Sequence, residues 1–204
     1  CALPICAGND TVVLNSGTNT VSAGAGSDSI TVNSGQNSVD GGDDADVIVL
    51  NGGTNTIAGS AGADAITANA GTNVINAGED NNTVTLVGGI NTVTAGSGAD
   101  LITVSSGTNV INSGDGNDTL TLNGGVNTVN GGAGSDTLTL NAGQNSVSGG
   151  DGDDGVVGCA DLAPLKKAIG NAYKRGNQMH PDKWITVEVI VTARGAFLEV
   201  RSEE

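Results

Sequence analysis

The chain has 204 residues, 34 of them Gly, with one Trp, one Tyr, one Phe and one Met. So few large side chains exclude a conventional globular core, and any interior must be filled by Val, Ile, Leu and Ala. The formal net charge of −15 is placed unevenly: the first 158 residues carry 16 acids and no base, and all seven Lys and Arg lie after residue 160, which argues against nucleic acid and anionic membrane as partners and favours hard cations that take oxygen ligands.

The chain opens without Met, and Cys1 to Ile5 is out of step with the repeat that begins at Cys6. It shows no signal peptide and no apolar run long enough to insert in a membrane, and it reads as a fragment or a processed product. Cys1, Cys6 and Cys159 are too few for a disulfide framework, although Cys1 and Cys6 are near enough in sequence to pair, so the redox compartment stays open.

From Cys6 to Gly158 the sequence repeats itself. Asp10, Asp28, Asp46, Asp64, Asn82, Asp100, Asp118, Asp136 and Asp154 stand 18 residues apart. Nine residues after each of the first eight comes an Asn: Asn19, Asn37, Asn55, Asn73, Asn91, Asn109, Asn127 and Asn145. A Gly sits two before each Asn, from Gly17 to Gly143. The unit is two related nonapeptides, roughly G-x-G-x-D-x-U-x-U and N-x-G-x-N-x-U-x-x, with U aliphatic.

Aliphatic residues two and four after each Asp, such as Ile102 with Val104 and Leu120 with Leu122, point to one face of a short strand. A second inward row comes after the Asn positions, from Val21 through Ile111 to Val147. Each coil is therefore two strands and two Gly-rich turns. One coil cannot bury its own aliphatics; stacked coils bury a continuous core between two parallel sheets. The expected fold is all-β: a right-handed parallel β-solenoid, or β-roll, of about eight 18-residue coils over residues 6–158, about 38 Å long at ~4.8 Å per coil.

After Asp154 the pattern fails, since Gly155, Gly158 and Cys159 replace Thr, Leu and Asn of earlier coils. Asp161 is placed to cap a helix through Leu162, Leu165, Ile169 and Tyr173 that ends at Gly176-Asn177. Trp184–Val191 and Ala196–Arg201 read as two strands around Ala193-Arg194-Gly195. Residues 159–204 are expected to form a small α+β C-terminal cap, a helix plus a β-hairpin, over the last coil.

The Asp turn resembles the nonapeptide of RTX (repeats-in-toxin) proteins, G-G-x-G-x-D-x-U-x. Gly131-Gly132-Ala133-Gly134-Ser135-Asp136-Thr137-Leu138-Thr139 agrees at every specified position, and Gly149-Gly150-Asp151-Gly152-Asp153-Asp154 agrees over the turn. The resemblance implies Ca²⁺ held between successive turns. Carboxylates one strand spacing apart need such a counter-charge, and Gly-rich backbone offers carbonyl oxygens as further ligands. The candidate metal residues are Asp10, Asp28, Asp46, Asp64, Asp100, Asp118, Asp136 and Asp154; Asn82 breaks the row, and the nearby acids Glu79 and Asp80 could compensate for it. RTX rolls carry the Asp turn on both sides. Here alternate turns carry Asn, so calcium is expected along one edge and a neutral, metal-free ladder along the other. Asp44 takes the place of a turn Gly and should strain its copy.

A second reading comes from the outward strand positions. Thr31, Thr67, Thr83, Thr85, Thr103, Thr119, Thr121, Thr137 and Thr139 form a T-x-T pattern that resembles ice-binding solenoids, whose rigid grid of hydroxyls and methyls orders water; Thr is also simply a good exposed strand residue. Some bacterial RTX adhesins bind ice through Thr and Asn in the calcium turn, but the matching slots here are mostly Ala, Asp and Ser, which leaves the strand face. A third resemblance, His180-Pro181-Asp182-Lys183 behind a helix bearing Lys166, Lys167, Lys174 and Arg175, is to the loop of J-domain co-chaperones. It spans about 25 residues, and strands come next where that family has a helix. With one His, no Cys/His pair and Ser confined to turns, no nucleophile-and-base arrangement is visible and the chain does not read as an enzyme. The sequence reads first as a secreted or cell-surface calcium-binding module, structural or adhesive, with a cell-surface ligand as partner, and second as an ice-binding protein. It carries no signal for an oligomeric state.

Overall fold

The computed structural model describes residues 2–5, 7–158, 185–192 and 195–202. The strands are β1 (Ala2–Pro4), β2 (Thr11–Leu14), β3 (Thr18–Ala25), β4 (Ser29–Val32), β5 (Gln36–Asp43), β6 (Val47–Leu50), β7 (Thr54–Ala61), β8 (Ala65–Ala68) and β9 (Thr72–Gly78). They continue with β10 (Thr83–Leu86), β11 (Ile90–Ser97), β12 (Leu101–Val104), β13 (Thr108–Asp115), β14 (Thr119–Leu122), β15 (Val126–Ala133), β16 (Thr137–Leu140), β17 (Gln144–Asp151) and β18 (Gly155–Gly158). The last two are β19 (Ile185–Thr192) and β20 (Gly195–Ser202).

The even strands β2 to β18 form one nine-stranded sheet, each four residues long. The odd strands β1 to β17, extended by β19 and β20, form an 11-stranded sheet. Through β18 every pairing is parallel, and within the repeat each residue meets its counterpart 18 positions on, as in Ile102↔Leu120↔Leu138 and Val93↔Ile111↔Val129. This is the expected parallel β-solenoid of 18-residue coils. The hairpin expected after residue 183 is present as β19 and β20, antiparallel to each other, with β19 antiparallel to β17. The helix expected through Leu162–Tyr173, the His180-Pro181-Asp182 sequence and the three cysteines lie outside the described residues. No helix among the described residues is long and apolar enough to cross a membrane.

Alternation decides what goes inside. On the short strands the aliphatic rows are buried and their neighbours face out, giving the burial alternation of β12 and β14. Ile30, Ile48, Leu50, Ile102, Leu120 and Leu138 are fully enclosed. Burying one such side chain is worth about 1.5–3 kcal/mol, and the stacking repeats that contribution coil after coil. The longer strands bury a second aliphatic row and, on either side of it, smaller groups: the Asn residues at one end, and Ala23, Ala77, Ala95 and Ser113 at the other.

The turns are set by glycine where the backbone demands it. Gly132 has φ +105, and a Cβ there would strike the carbonyl of Gly114 in the preceding coil, so both conformation and space select Gly. The same slot holds Ser60 at φ 83, whose hydroxyl donates to Asp40 Oδ1 at 2.7 Å. Asp44 and Asp80 also take positive φ, at 74 and 67; the strain expected at Asp44 is present.

Candidate metal centre

The Asp-bearing turns stack along one edge of the rod. Asp28, Asp46, Asp64, Asp100, Asp118 and Asp136 are buried, and Asp10 and Asp154 are half-buried at the two ends. From Asp28 onward each carboxylate turns Oδ1 toward the preceding coil and accepts the backbone N–H of its counterpart there. The N–H of Asp28 reaches Asp46 Oδ1 at 2.7 Å, that of Asp100 reaches Asp118 at 2.8 Å, and that of Asp136 reaches Asp154 at 3.0 Å. One oxygen of each side chain thus ties two coils together.

The other oxygen has no such partner. Oδ2 of Asp28, Asp46, Asp64, Asp100, Asp118 and Asp136 is buried and accepts no hydrogen bond. An orphaned buried carboxylate oxygen is costly, by about 1–3 kcal/mol for the missing bond alone. At Asp46, Asp64 and Asp136 this oxygen faces a small, oxygen-lined hollow, whereas at Asp28, Asp100 and Asp118 the matching Gly slot holds Ala23, Ala95 and Ser113, and the Ser113 hydroxyl donates to the Gly131 carbonyl at 2.6 Å. A methyl group built on Gly131 would collide with Asp136 Oδ2 and the Gly149 carbonyl; one on Gly59 would meet Asp64 Oδ2 and the Ala77 carbonyl; one on Gly41 would meet Asp46 Oδ2 and the Gly59 carbonyl. Carboxylate and carbonyl oxygens converging on one hollow suit a hard cation such as Ca²⁺. Among the described residues no three His, Cys, Asp or Glu side chains come together, so a cation on this edge would take one or two carboxylates and otherwise backbone carbonyls.

The electrostatics agree with that donor set. Burial pushes the Asp64 carboxyl up to about 6, opposed by the Asp46 N–H it accepts and reinforced by the charges of Asp46 and Asp80. Burial likewise raises Asp46, Asp100 and Asp136, with neighbouring aspartates adding to it. The first 158 residues hold no base, and a cation from solution would offset this charge.

The opposite edge is neutral. The Nδ2 of Asn37 donates to Asn55 Oδ1 at 2.9 Å and to the Ser34 carbonyl at 3.2 Å. The same two bonds recur at Asn55, Asn73, Asn91, Asn109 and Asn127. Both amide hydrogens are used, and the ladder leaves no oxygen waiting for a metal. An outer, exposed amide row runs the other way: Asn33, Asn51 and Asn69 donate to Asn15, Asn33 and Asn51.

The Thr positions stand on the outer face of the short-strand sheet. Thr67, Thr85, Thr103, Thr121 and Thr139 form one in-register row, half-exposed; Thr83, Thr119 and Thr137 are exposed beside it. Thr31 is separated from that row by Val49. Three features escape the sequence pattern. The Asn row is buried from Asn37 to Asn145. Asn9, Asn81 and Asn117, each just before the Asp position, accept the N–H of Ser27, Ala99 and Ser135 in the next coil; the recurrence of Asn in that slot is the signal that marks them. The long-strand sheet also presents an outer face of its own, with Thr56, Thr92 and Thr128 exposed among Val74, Ile90, Val110 and Val126.

Five segments, residues 13–48, 22–57, 50–84, 87–120 and 121–156, match the RTX calcium-binding nonapeptide repeat (4 copies). No curated protein matches the chain. Among solved structures, the crystal structure of a hyperactive, Ca²⁺-dependent, β-helical antifreeze protein from an Antarctic bacterium is similar in fold, with a TM-score of 0.61, 24% sequence identity and coverage of 77% of this chain. This chain spans 56% of that chain's length.

Proposed function

The chain belongs to the RTX calcium-binding nonapeptide repeat family, and from that membership we propose that it is a calcium-stabilised structural or adhesive module that works outside the cell. Calcium is its ion. The residues that would hold it are Asp28, Asp46, Asp64, Asp100, Asp118 and Asp136, with Asp10 and Asp154 closing the row at its ends. Bound calcium would supply the positive charge that these stacked carboxylates lack. The observation that carries this reading is the row of six buried, unpartnered Oδ2 atoms, three in successive coils on each side of Asn82. From Asp28 onward each carboxylate positions itself by its Oδ1 bond to the preceding coil and leaves the other oxygen for a cation. Held by these oxygens, calcium would supply a further tie between coils and stiffen the rod. The reading includes no catalytic role. Circular dichroism and calorimetry test it: chelator should reduce the β signal and readdition of calcium should restore it with measurable uptake. An unchanged signal with no uptake would sink the idea.

A second reading rests on its own observation, the unbroken row Thr67–Thr85–Thr103–Thr121–Thr139 on a flat sheet. Rows of hydroxyl and methyl groups at ~4.8 Å between coils and ~6.8 Å along a strand form a lattice that can order water. The similar solved structure is that of an antifreeze protein, which supports testing the chain for ice binding. Thr121→Lys should abolish thermal hysteresis, and Thr128→Lys on the other sheet should leave it intact. Loss with Thr128→Lys alone would move the activity to the long-strand face; hysteresis absent from the unmodified chain would remove the reading.

A further inference from the structure

Asn82 stands where eight other coils have Asp. Its Oδ1 behaves as theirs do and accepts the Asp64 N–H at 2.9 Å. Its own N–H reaches Asp100 Oδ1 at 2.7 Å, so the coil is stitched into the stack on both sides. The difference lies at the second atom. Where the six buried aspartates turn an unpartnered Oδ2, Asn82 turns Nδ2, which donates to the carbonyls of Glu79 at 3.2 Å and Asp80 at 3.1 Å, with the Ala95 carbonyl at 3.5 Å. By the 18-residue register, the corresponding carbonyls at Asp136 belong to Ala133, Gly134 and Gly149, and Gly149 is the one whose oxygen shares the hollow with Asp136 Oδ2. An amide NH₂ therefore occupies the place that at Asp46, Asp64 and Asp136 is a hollow between carboxylate and carbonyl oxygens.

We propose that Asn82 takes the cation's place and makes its coil a metal-free joint, which divides the calcium row into two blocks that fill independently: Asp10 to Asp64 before it and Asp100 to Asp154 after it. This deepens the calcium reading above and rests on it. The physical reason is one of sign. A hollow of carboxylate and carbonyl oxygens is repulsive until a cation enters it, whereas the two amide hydrogens already present positive charge to the same carbonyls. The amide both satisfies those oxygens without metal and repels an arriving ion. In low calcium the turns on either side lose their cross-links, while residues 79–96 keep theirs. The centre of the rod then serves as the template on which coils order in both directions when calcium returns.

Equilibrium calcium binding to the whole chain, Asn82→Asp and Asp136→Asn tests this, together with backbone hydrogen exchange in chelator. Asn82→Asp should bind one more calcium ion per chain and lose protection at residues 79–96 in chelator; Asp136→Asn should bind one fewer. In the unmodified chain under chelator, residues 79–96 should exchange more slowly than residues 133–150. No gain of an ion in Asn82→Asp, or equal exchange of the two regions, overturns the joint while leaving the calcium reading in place. Absence of calcium uptake in the unmodified chain overturns both. If Asn82→Asp does not fold, the exchange comparison and Asp136→Asn decide alone.

Discussion

Replacing Asn109 by Asp places a carboxylate in the ladder on the neutral edge, and the cost can be worked from its bonds. Asn109 is 1% exposed; its Nδ2 donates to Asn127 Oδ1 at 2.8 Å and to the Ser106 carbonyl at 3.2 Å, and its Oδ1 accepts from Asn91 at 2.7 Å. Asp keeps the acceptor and turns both donations into oxygen facing oxygen. Two routes are open to it. Ionised, it loses two bonds worth about 1 kcal/mol each and leaves an uncompensated buried charge, for a total of about 3–5 kcal/mol. Protonated, it recovers one donor, but holding a carboxyl of ordinary pKa about 3.9 neutral at pH 7 costs about 4 kcal/mol. Both routes give a loss of about 4 kcal/mol, which corresponds to roughly 8–16 °C in melting temperature for a domain of this size. Equilibrium urea unfolding in saturating calcium measures it, at pH 7 and again at pH 5. By the protonation route the deficit relative to the unmodified chain shrinks by about 1.4 kcal/mol per pH unit. A deficit below about 1 kcal/mol at pH 7 would refute the reasoning. So would its rescue by added calcium, since that would mean the Asn edge can hold an ion after all.

In chelator, stability should rise as pH falls from 7 toward 4. The folded carboxyls of Asp46, Asp64, Asp100 and Asp136 are raised above the ordinary value, Asp64 to about 6. Their contribution is therefore fully present below the unfolded pKa and lost as pH rises through the folded one; thermal melts across that window check it, and a flat or falling profile on acidification contradicts it. Asp44→Gly should stabilise the calcium-free chain by about 1 kcal/mol, because Gly accepts the positive φ of 74 that strains Asp44 without penalty. It also removes a charge that raises the Asp46 carboxyl; urea unfolding in chelator reads the gain, and a loss of stability would show that the Asp44 side chain is needed.

The 18-residue period was enough to place the two inward rows, and Ile102, Val104 and Ile111 are buried where alternation puts them. It was enough because a solenoid converts sequence period directly into spatial neighbourhood. The chemistry of the edge was less legible. Nothing in the pattern tells which carboxylate oxygen bonds the preceding coil and which is left over, since that depends on the side-chain rotamer and the rise of one coil. Asn82 read as a gap to be compensated by the acids of Glu79 and Asp80. The structure instead has its amide donating to the main-chain carbonyls of those two residues, a role that depends on backbone orientation. The outer face of the long strands went unread because Thr56, Thr92 and Thr128 alternate along the axis with Val74 and Val110, which breaks up the T-x-T pattern.

The side-chain bonds between coils join residues 18 apart almost throughout, from the Asp turns to both amide rows. The rod is in this respect a one-dimensional crystal whose lattice constant is one coil. Its length is free while its phase is not. Deleting 18 residues would let each remaining group find an equivalent partner, shortening the rod by about 4.8 Å. Deleting one residue would turn the aliphatic rows outward from that point onward, and the buried Asp positions of the same parity with them. Asn82 is then a substitutional defect in such a lattice: it changes the local charge without disturbing the spacing, which is why a single amide can alter how the whole row fills.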